Sequence, residues 1–349
     1  MKRCTRCVLP ETVCGIIFDE KGICSFCHLC KPEKYKGREA LESLITSGRA
    51  GKRRSYEALV PLSGGRDSSY VLYLVRNVFN LKVLAVSYDN EFRNEQALVN
   101  MENACKRLGV DFISIRSRRD IVGKVVTEGL KSSVLRKLFR ICNACTYGFK
   151  STVYRTAEEY KVPLIFWGDS QPEEVNPLAR QAARYLKLPK NRPFFFLNPH
   201  YYIYKYNFLR QRLEFPVPGN SLWAQIPKLK NKDVKEIHMF DYIPWDRQKI
   251  KQTITRELGW QKPDENVSSW RTDCKLSLLV DYCFYKMYGC TKSCFGYCNM
   301  ISGGHMSRDE ALQQENDKIA ILQQGVQVRN LLSEKFNLSP REIDQILMQ

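Results

Sequence analysis

A buried apolar run, Tyr56-Glu-Ala-Leu-Val-Pro-Leu62, gives way at once to Ser63-Gly-Gly-Arg-Asp-Ser68, and a helical pattern runs from Asp67 to Val78. A glycine pair between a strand and a helix restricts the chain to few geometries. The backbone can approach an anion there, and the free N–H groups and dipole of the helix start favour negative charge. Ser63 and Ser68 add hydroxyl donors. Two glycines alone would equally suit a plain turn. The whole string, in its strand-to-helix setting, points to phosphate.

The alternation continues downstream. Leu81 to Tyr88 reads as a strand, Glu95 to Leu108 as a helix and Asp111 to Ile115 as a strand. Helical stretches from Ile121 to Arg140 and from Tyr147 to Tyr160 lead to a strand from Val162 to Trp167. This pattern predicts an α/β fold with a doubly wound parallel sheet, whose ligands sit beyond the carboxyl ends of the strands. Asp89 closes one strand and is a candidate nucleotide contact; Gly168, before Asp169, ends a later strand at the same crevice. The expected organisation is a four-cysteine knuckle over 1–33, a basic linker over 34–54 and the nucleotide-loop domain over 55–170. An insertion or substrate segment, rich in Pro, Asn and aromatics, follows over 171–226, and a mainly helical region over 227–349. Ser339-Pro-Arg-Glu342 reads as a helix start near its end.

The loop string resembles the PP-loop of N-type ATP pyrophosphatases, in which it holds the pyrophosphate released when ATP adenylates a substrate. The resemblance implies a sheet of the PP-loop, HUP-like kind and an enzyme using ATP and Mg2+. It places Ser63, Gly64, Gly65, Arg66, Asp67, Ser68 and Ser69 about the phosphates, with Asp67 helping to hold the magnesium ion.

Cysteine usage adds a second constraint. The chain has 14 cysteines, many in C-x2-C pairs, a pattern of metal binding rather than of disulfides. Cys4-x2-Cys7 and Cys24-x2-Cys27, sixteen residues apart, have the spacing of a four-thiolate zinc ribbon, with Cys14, His28 and Cys30 as further candidates. Cys142-Asn-Ala-Cys145 and the distant Cys274 form a second set. A [4Fe–4S] cluster, zinc, or inert thiols would each account for it. In some PP-loop enzymes this arrangement holds a cluster with one open iron, and the stretch Cys142 to Ala157 resembles that of the tRNA 2-thiocytidine synthetases. Cys283, Cys290, Cys294 and Cys298 fit a packed helix face better than a metal site.

Several stretches resemble the N-acetyl sugar amidotransferase family of surface-polysaccharide synthesis. They include Cys4-Thr-Arg-Cys-Val-Leu-Pro-Glu11, Phe18 to Cys24, Val162 to Gly168, Asp241-Tyr-Ile-Pro-Trp-Asp246, Arg256-Glu-Leu-Gly-Trp260 and Met306 to Ala311. That resemblance implies replacement of a carbonyl oxygen by nitrogen on a nucleotide-linked sugar, with ammonia from a separate glutaminase subunit. The thiols and a formal charge of +18 suit instead a thiolation of tRNA with a sulfur donor. The cysteine-rich Cys290 to Gly304 and the segment 171–219 depart from the amidotransferase pattern. No apolar run is long enough to span a bilayer, so the expectation is a soluble, cytoplasmic protein with no membrane partner.

Overall fold

Leu59, Leu84 and Ile165 lie on one face of a parallel sheet, while Val60, Ala85 and Phe166 pack into a separate core on the other. Side chains alternate along each strand, so a sheet apolar on both faces needs helices on both. The computed structural model describes residues 1–13, 15–30, 34–49, 54–117, 120–131, 142–170, 202–203, 206–207, 209–211, 234–262, 273–336 and 338–348.

The chain opens with α1 (Ser25–Leu29) and α2 (Arg38–Arg49). The sheet and its helices follow as β1 (Ala58–Pro61), α3 (Arg66–Tyr73), β2 (Val83–Asp89), α4 (Glu95–Leu108), β3 (Asp111–Arg116), α5 (Ile121–Lys131), α6 (Asn143–Glu159), β4 (Leu164–Trp167) and β5 (Lys235–His238). After these come α7 (Arg247–Leu258), α8 (Leu276–Tyr288), α9 (Ser293–Ser302), α10 (Arg308–Gln324), α11 (Val326–Phe336) and α12 (Pro340–Met348).

All strands are parallel, in the order β3-β2-β1-β4-β5. From β1 the chain winds outward to β2 and β3, and later resumes on the other side with β4 and β5. The carboxyl end of β1 is therefore the point where the winding reverses, where a crevice opens for ligands. The doubly wound α/β sheet expected from the sequence is present. It does not close at residue 170, however, because β5 comes from the region expected to be helical. Of its four residues only Ile237 is buried, so the sequence carries little strand signal there.

The helices begin and end as their sequences direct. Asn94 caps α4 by accepting from the Gln96 N–H at 2.9 Å, and Gly109 ends it in the left-handed conformation. Asp246 caps α7 through the N–H groups of Gln248 and Lys249, and Ile250, Ile254 and Leu258 bury one stripe of it. The Ser339–Glu342 reciprocal cap forms as expected. α3 continues past Tyr73 as a π-helical turn to Val78, so the expected helix has two geometries. α6 starts at Asn143, four residues before the expected Tyr147, which brings Cys142 to its cap. The expected insertion over 171–226 and the stretch 132–140 lie almost wholly outside the described residues.

Candidate functional site

The loop after β1 is built to a tight specification. Gly64 has φ of 79°, and a Cβ there would stand 2.1 Å from the Ala97 carbonyl oxygen of α4, so only glycine fits. Its own carbonyl accepts from Trp260 Nε1 at 3.0 Å and Asn100 Nδ2 at 3.4 Å. Asn100 is buried and also holds the Gln261 backbone through both its N–H and its carbonyl oxygen. Inside the loop, Ser63 Oγ and Ser68 Oγ are 3.1 Å apart, Gly65 N–H donates to Ser63 Oγ, and Ser69 Oγ donates to the Gly65 carbonyl at 2.8 Å. Gly168 closes the far side: a Cβ there would stand 3.1 Å from the Ser68 nitrogen and Cα, a tight contact, so glycine lets the end of β4 come close to the start of α3.

Asp67 sits beneath this loop in a buried ion pair. Arg66 Nε donates to its Oδ1 at 2.9 Å and Arg66 Nη2 to its Oδ2 at 2.7 Å, while Trp245 Nε1 adds a bond to Oδ1 at 3.0 Å. The Arg66 guanidinium also lies 4.8 Å from the centre of the Trp245 ring. With three N–H donors on two oxygens, the carboxylate has room for about one more ligand. The magnesium contact expected of Asp67 would thus be limited to a single one.

Ser63, Gly65 and Asp67 share one cavity of ≈ 560 Å³ with Cys142, Cys145 and Cys274; Arg66, Ser68 and Gly168 line it too. That volume is in the range of small-molecule sites. Cys142 caps α6 and Cys145 lies one turn on, so both thiols face the same way. Cys274 arrives from far along the chain through an antiparallel bridge to Arg93, reinforced by Lys275 N–H to the Phe92 carbonyl at 2.8 Å and Asn94 N–H to the Asp273 carbonyl at 3.1 Å. Asn90 Nδ2 donates to Cys145 Sγ and to Cys274 Sγ, at 3.6 Å each, so the two sulfurs lie within twice that distance.

Burial pushes the Cys274 thiol up to about 12, and burial together with the neighbouring Cys142 and Cys274 raises Cys145 well above the ordinary range. As free thiols they are therefore protonated and weakly nucleophilic. A bound metal centre would reverse this, because it holds its cysteines as thiolates. Three cysteines lining one cavity, two of them sharing the Asn90 amide as donor, have the chemistry of a three-cysteine cluster site.

Not every expected contact falls in the cavity. Gly64 and Ser69 act from behind the loop. Asp89 turns away from it, to the Arg116 guanidinium at 2.7 Å and the Glu91 N–H at 2.9 Å. Burial alone would raise the Asp89 carboxyl, but the Glu91 N–H and Arg116 together draw it below its usual value. Asn90, the next residue, takes the place in the crevice. Trp245, Trp260, Asn90 and Asp273 carry no individual site signal in the sequence, although both tryptophans lie in stretches that resemble the amidotransferases.

A second thiol site stands apart from the cavity. Cys4, Cys7, Cys24 and Cys27 are buried, and their sulfurs all lie within 4.8 Å of one another. Thiolates about 2.3 Å from a zinc ion stand ~3.8 Å apart in a tetrahedron; the Cys4–Cys27 and Cys7–Cys24 sulfurs are 3.9 and 3.7 Å apart. Backbone N–H groups of Cys7 and Cys24 point at Cys4 Sγ, and that of Cys27 at Cys24 Sγ. The donor set fits a closed, structural ion. His28 instead pairs with Asp19 at 2.9 Å, and Cys14 lies outside the described residues. Cys290, Cys294 and Cys298 are fully buried against the knuckle, with Cys294 Sγ donating to the Val8 carbonyl.

No protein-family model matches the chain. An uncharacterized protein of Methanocaldococcus jannaschii is 29% identical over 319 residues, which cover 89% of this chain and 92% of that one. A second uncharacterized protein of the same organism is 24% identical over 142 residues, 38% of this chain and 50% of the other. Among solved structures, the chain is similar to the U34-tRNA thiolase NcsA from Methanococcus maripaludis with its [4Fe-4S] cluster, at 14% identity and a TM-score of 0.39 over 93% of this chain and 89% of that one. It is also similar to the NMN synthetase from Francisella tularensis, at 12% identity and a TM-score of 0.40 over 86% and 96% of the two chains.

Proposed function

We propose that the protein is an ATP-dependent adenylating transferase that activates a carbonyl oxygen with AMP and replaces it with sulfur. One observation carries the reading: the phosphate loop and the three cysteines, Cys142, Cys145 and Cys274, open into the same cavity. The carbonyl oxygen of the acceptor attacks the α-phosphorus of ATP, and the bond to pyrophosphate breaks. The loop N–H groups and the Ser63 and Ser68 hydroxyls bind the departing pyrophosphate, with Mg2+ as its counter-ion. Sulfide then attacks the activated carbon, and the oxygen leaves with AMP. A [4Fe–4S] cluster on Cys142, Cys145 and Cys274 would supply an open iron to carry that sulfur. The acceptor in this reading is tRNA, favoured by the charge of +18, and a separate protein or sulfide supplies the sulfur. The knuckle cysteines hold zinc, and the setting is cytoplasmic, where thiols stay reduced.

A nitrogen-transfer reading has one observation of its own. Trp245 and Trp260, from two of the stretches that resemble N-acetyl sugar amidotransferases, touch Asp67 and Gly64 of the loop. The acceptor would then be a nucleotide-linked sugar and the nucleophile ammonia from a separate glutaminase subunit.

Anaerobically purified protein distinguishes the two. The sulfur reading expects about four irons per chain beyond the knuckle's zinc, and AMP and pyrophosphate release that depends on tRNA and a sulfide source. Zinc without iron, with AMP release that depends on a nucleotide-linked N-acetyl sugar and ammonia, would decide for nitrogen. Asp67→Ala should abolish AMP formation in either case, and undiminished turnover would sink the loop assignment.

A further inference from the structure

Asn90 makes a set of contacts that nucleotide binding does not require. Its Oδ1 accepts the Phe92 backbone N–H at 3.0 Å, which fixes the orientation of the amide. The NH2 group must then face the cavity, where its two hydrogens meet two sulfurs, those of Cys145 and Cys274, at 3.6 Å each. The turn that carries it is unusual. Glu91 has φ of 68°, a left-handed conformation that side chains larger than glycine rarely adopt, and its N–H is tied back to Asp89 Oδ1. Residues 92–94 of the same turn pair with 273–275, so Asn90 and Cys274 are held by one short backbone ladder.

We infer that Asn90 positions Cys145 and Cys274 as ligands and, through its two N–H···S hydrogen bonds, sets the reduction potential of the cluster they hold. The inference rests on the cluster reading above. A sulfur ligand gains electron density when its cluster is reduced, so an N–H donor stabilises the reduced form more than the oxidised one and raises the potential. An aspartate here would present acceptor oxygens to two thiolates, and a valine no donor at all. Asparagine is the residue of this size that offers two donors while its oxygen anchors the turn.

The test uses the full-length protein loaded with iron and sulfide under anaerobic conditions and titrated by visible absorption and electron paramagnetic resonance. Asn90→Val should lower the midpoint potential relative to wild type. A tenfold change in the ratio of oxidised to reduced cluster, the size expected, corresponds to about 59 mV for a one-electron couple. Asn90→Ser, which keeps a single O–H donor, should fall between the two. If Asn90→Val fails to take up a cluster and Asn90→Ser does so with a lowered potential, the positioning role is supported. Equal midpoints in wild type, Asn90→Val and Asn90→Ser would overturn the inference alone. A wild-type protein that takes up no iron would overturn it together with the cluster reading.

Discussion

The indole of Trp260 donates to the carbonyl of Gly64 at 3.0 Å, across 196 residues of sequence. The bond holds in place the one loop residue with no freedom to be anything but glycine. In Trp260→Phe that carbonyl keeps only the longer bond from Asn100. A buried carbonyl left under-satisfied costs about 1–3 kcal/mol. If the cost falls on the loop's anion-binding conformation, Mg-ATP affinity should drop roughly tenfold. Calorimetric titration checks this, and unchanged affinity would show that the loop needs no such support.

The Arg66–Asp67 pair predicts a larger effect on stability. Both side chains are under a tenth exposed, at 3% and 7%. Arg66→Ala leaves the carboxylate with the Trp245 indole N–H as a donor, and breaking one side of a buried ion pair costs about 3–5 kcal/mol. Urea denaturation should show that loss. The double variant Arg66→Ala/Asp67→Asn should recover part of it, because no buried charge is then stranded.

A pH dependence belongs to the pair His238 and Asp169, with Nδ1 and Oδ2 2.7 Å apart at the ends of β5 and β4. The hydrogen bond that it donates to Asp169 raises the His238 imidazolium above its ordinary range. Burial would raise the Asp169 carboxyl, but His238 draws it down. The histidine's contribution to stability is therefore complete below about pH 6.5 and fades as pH rises through the raised value. The carboxylate's contribution is present above its unfolded value, and is lost as pH falls through the depressed one. Both groups are partly exposed, so the effect on stability is small. Proton NMR of His238 is the direct measurement. Its titration should move to lower pH in Asp169→Asn; an unmoved titration would refute the pairing.

At the knuckle, the proposed metal site predicts that Cys24→Ser lowers the bound metal and destabilises the chain, since small domains of this kind do not fold without one. Cys290→Ser should leave metal content unchanged, because that cysteine lies outside the four-sulfur group. Metal analysis by mass spectrometry reads both.

The parts of this site that could be read in the sequence are those made locally. A strand, two glycines and a helix start are neighbours in the chain, and the loop formed where they predicted it. So did the knuckle, whose spacing alone turns four thiolates to one point. What escaped reading depends on contacts over long separations. Trp245 and Trp260 carry no signal of their own until α7 packs against α3 and α4. β5 has one buried residue and no alternation to reveal it. The choice between Asp89 and Asn90 turned on direction: side chains alternate along a strand, and the carboxylate, the more obvious candidate by chemistry, points to Arg116 instead of the crevice.

The Arg308 guanidinium donates to the backbone carbonyls of Cys4 and Cys7, some three hundred residues earlier, at 3.1 to 3.4 Å. Ribosomal synthesis is therefore out of step with assembly. The knuckle emerges early, yet the arginine that covers it is made about three hundred residues later. A contact of such sequence separation is slow to form. Until it does, the four-cysteine knuckle stands with its outer carbonyls open to solvent, and a chain interrupted before Arg308 would lack the clamp that covers it.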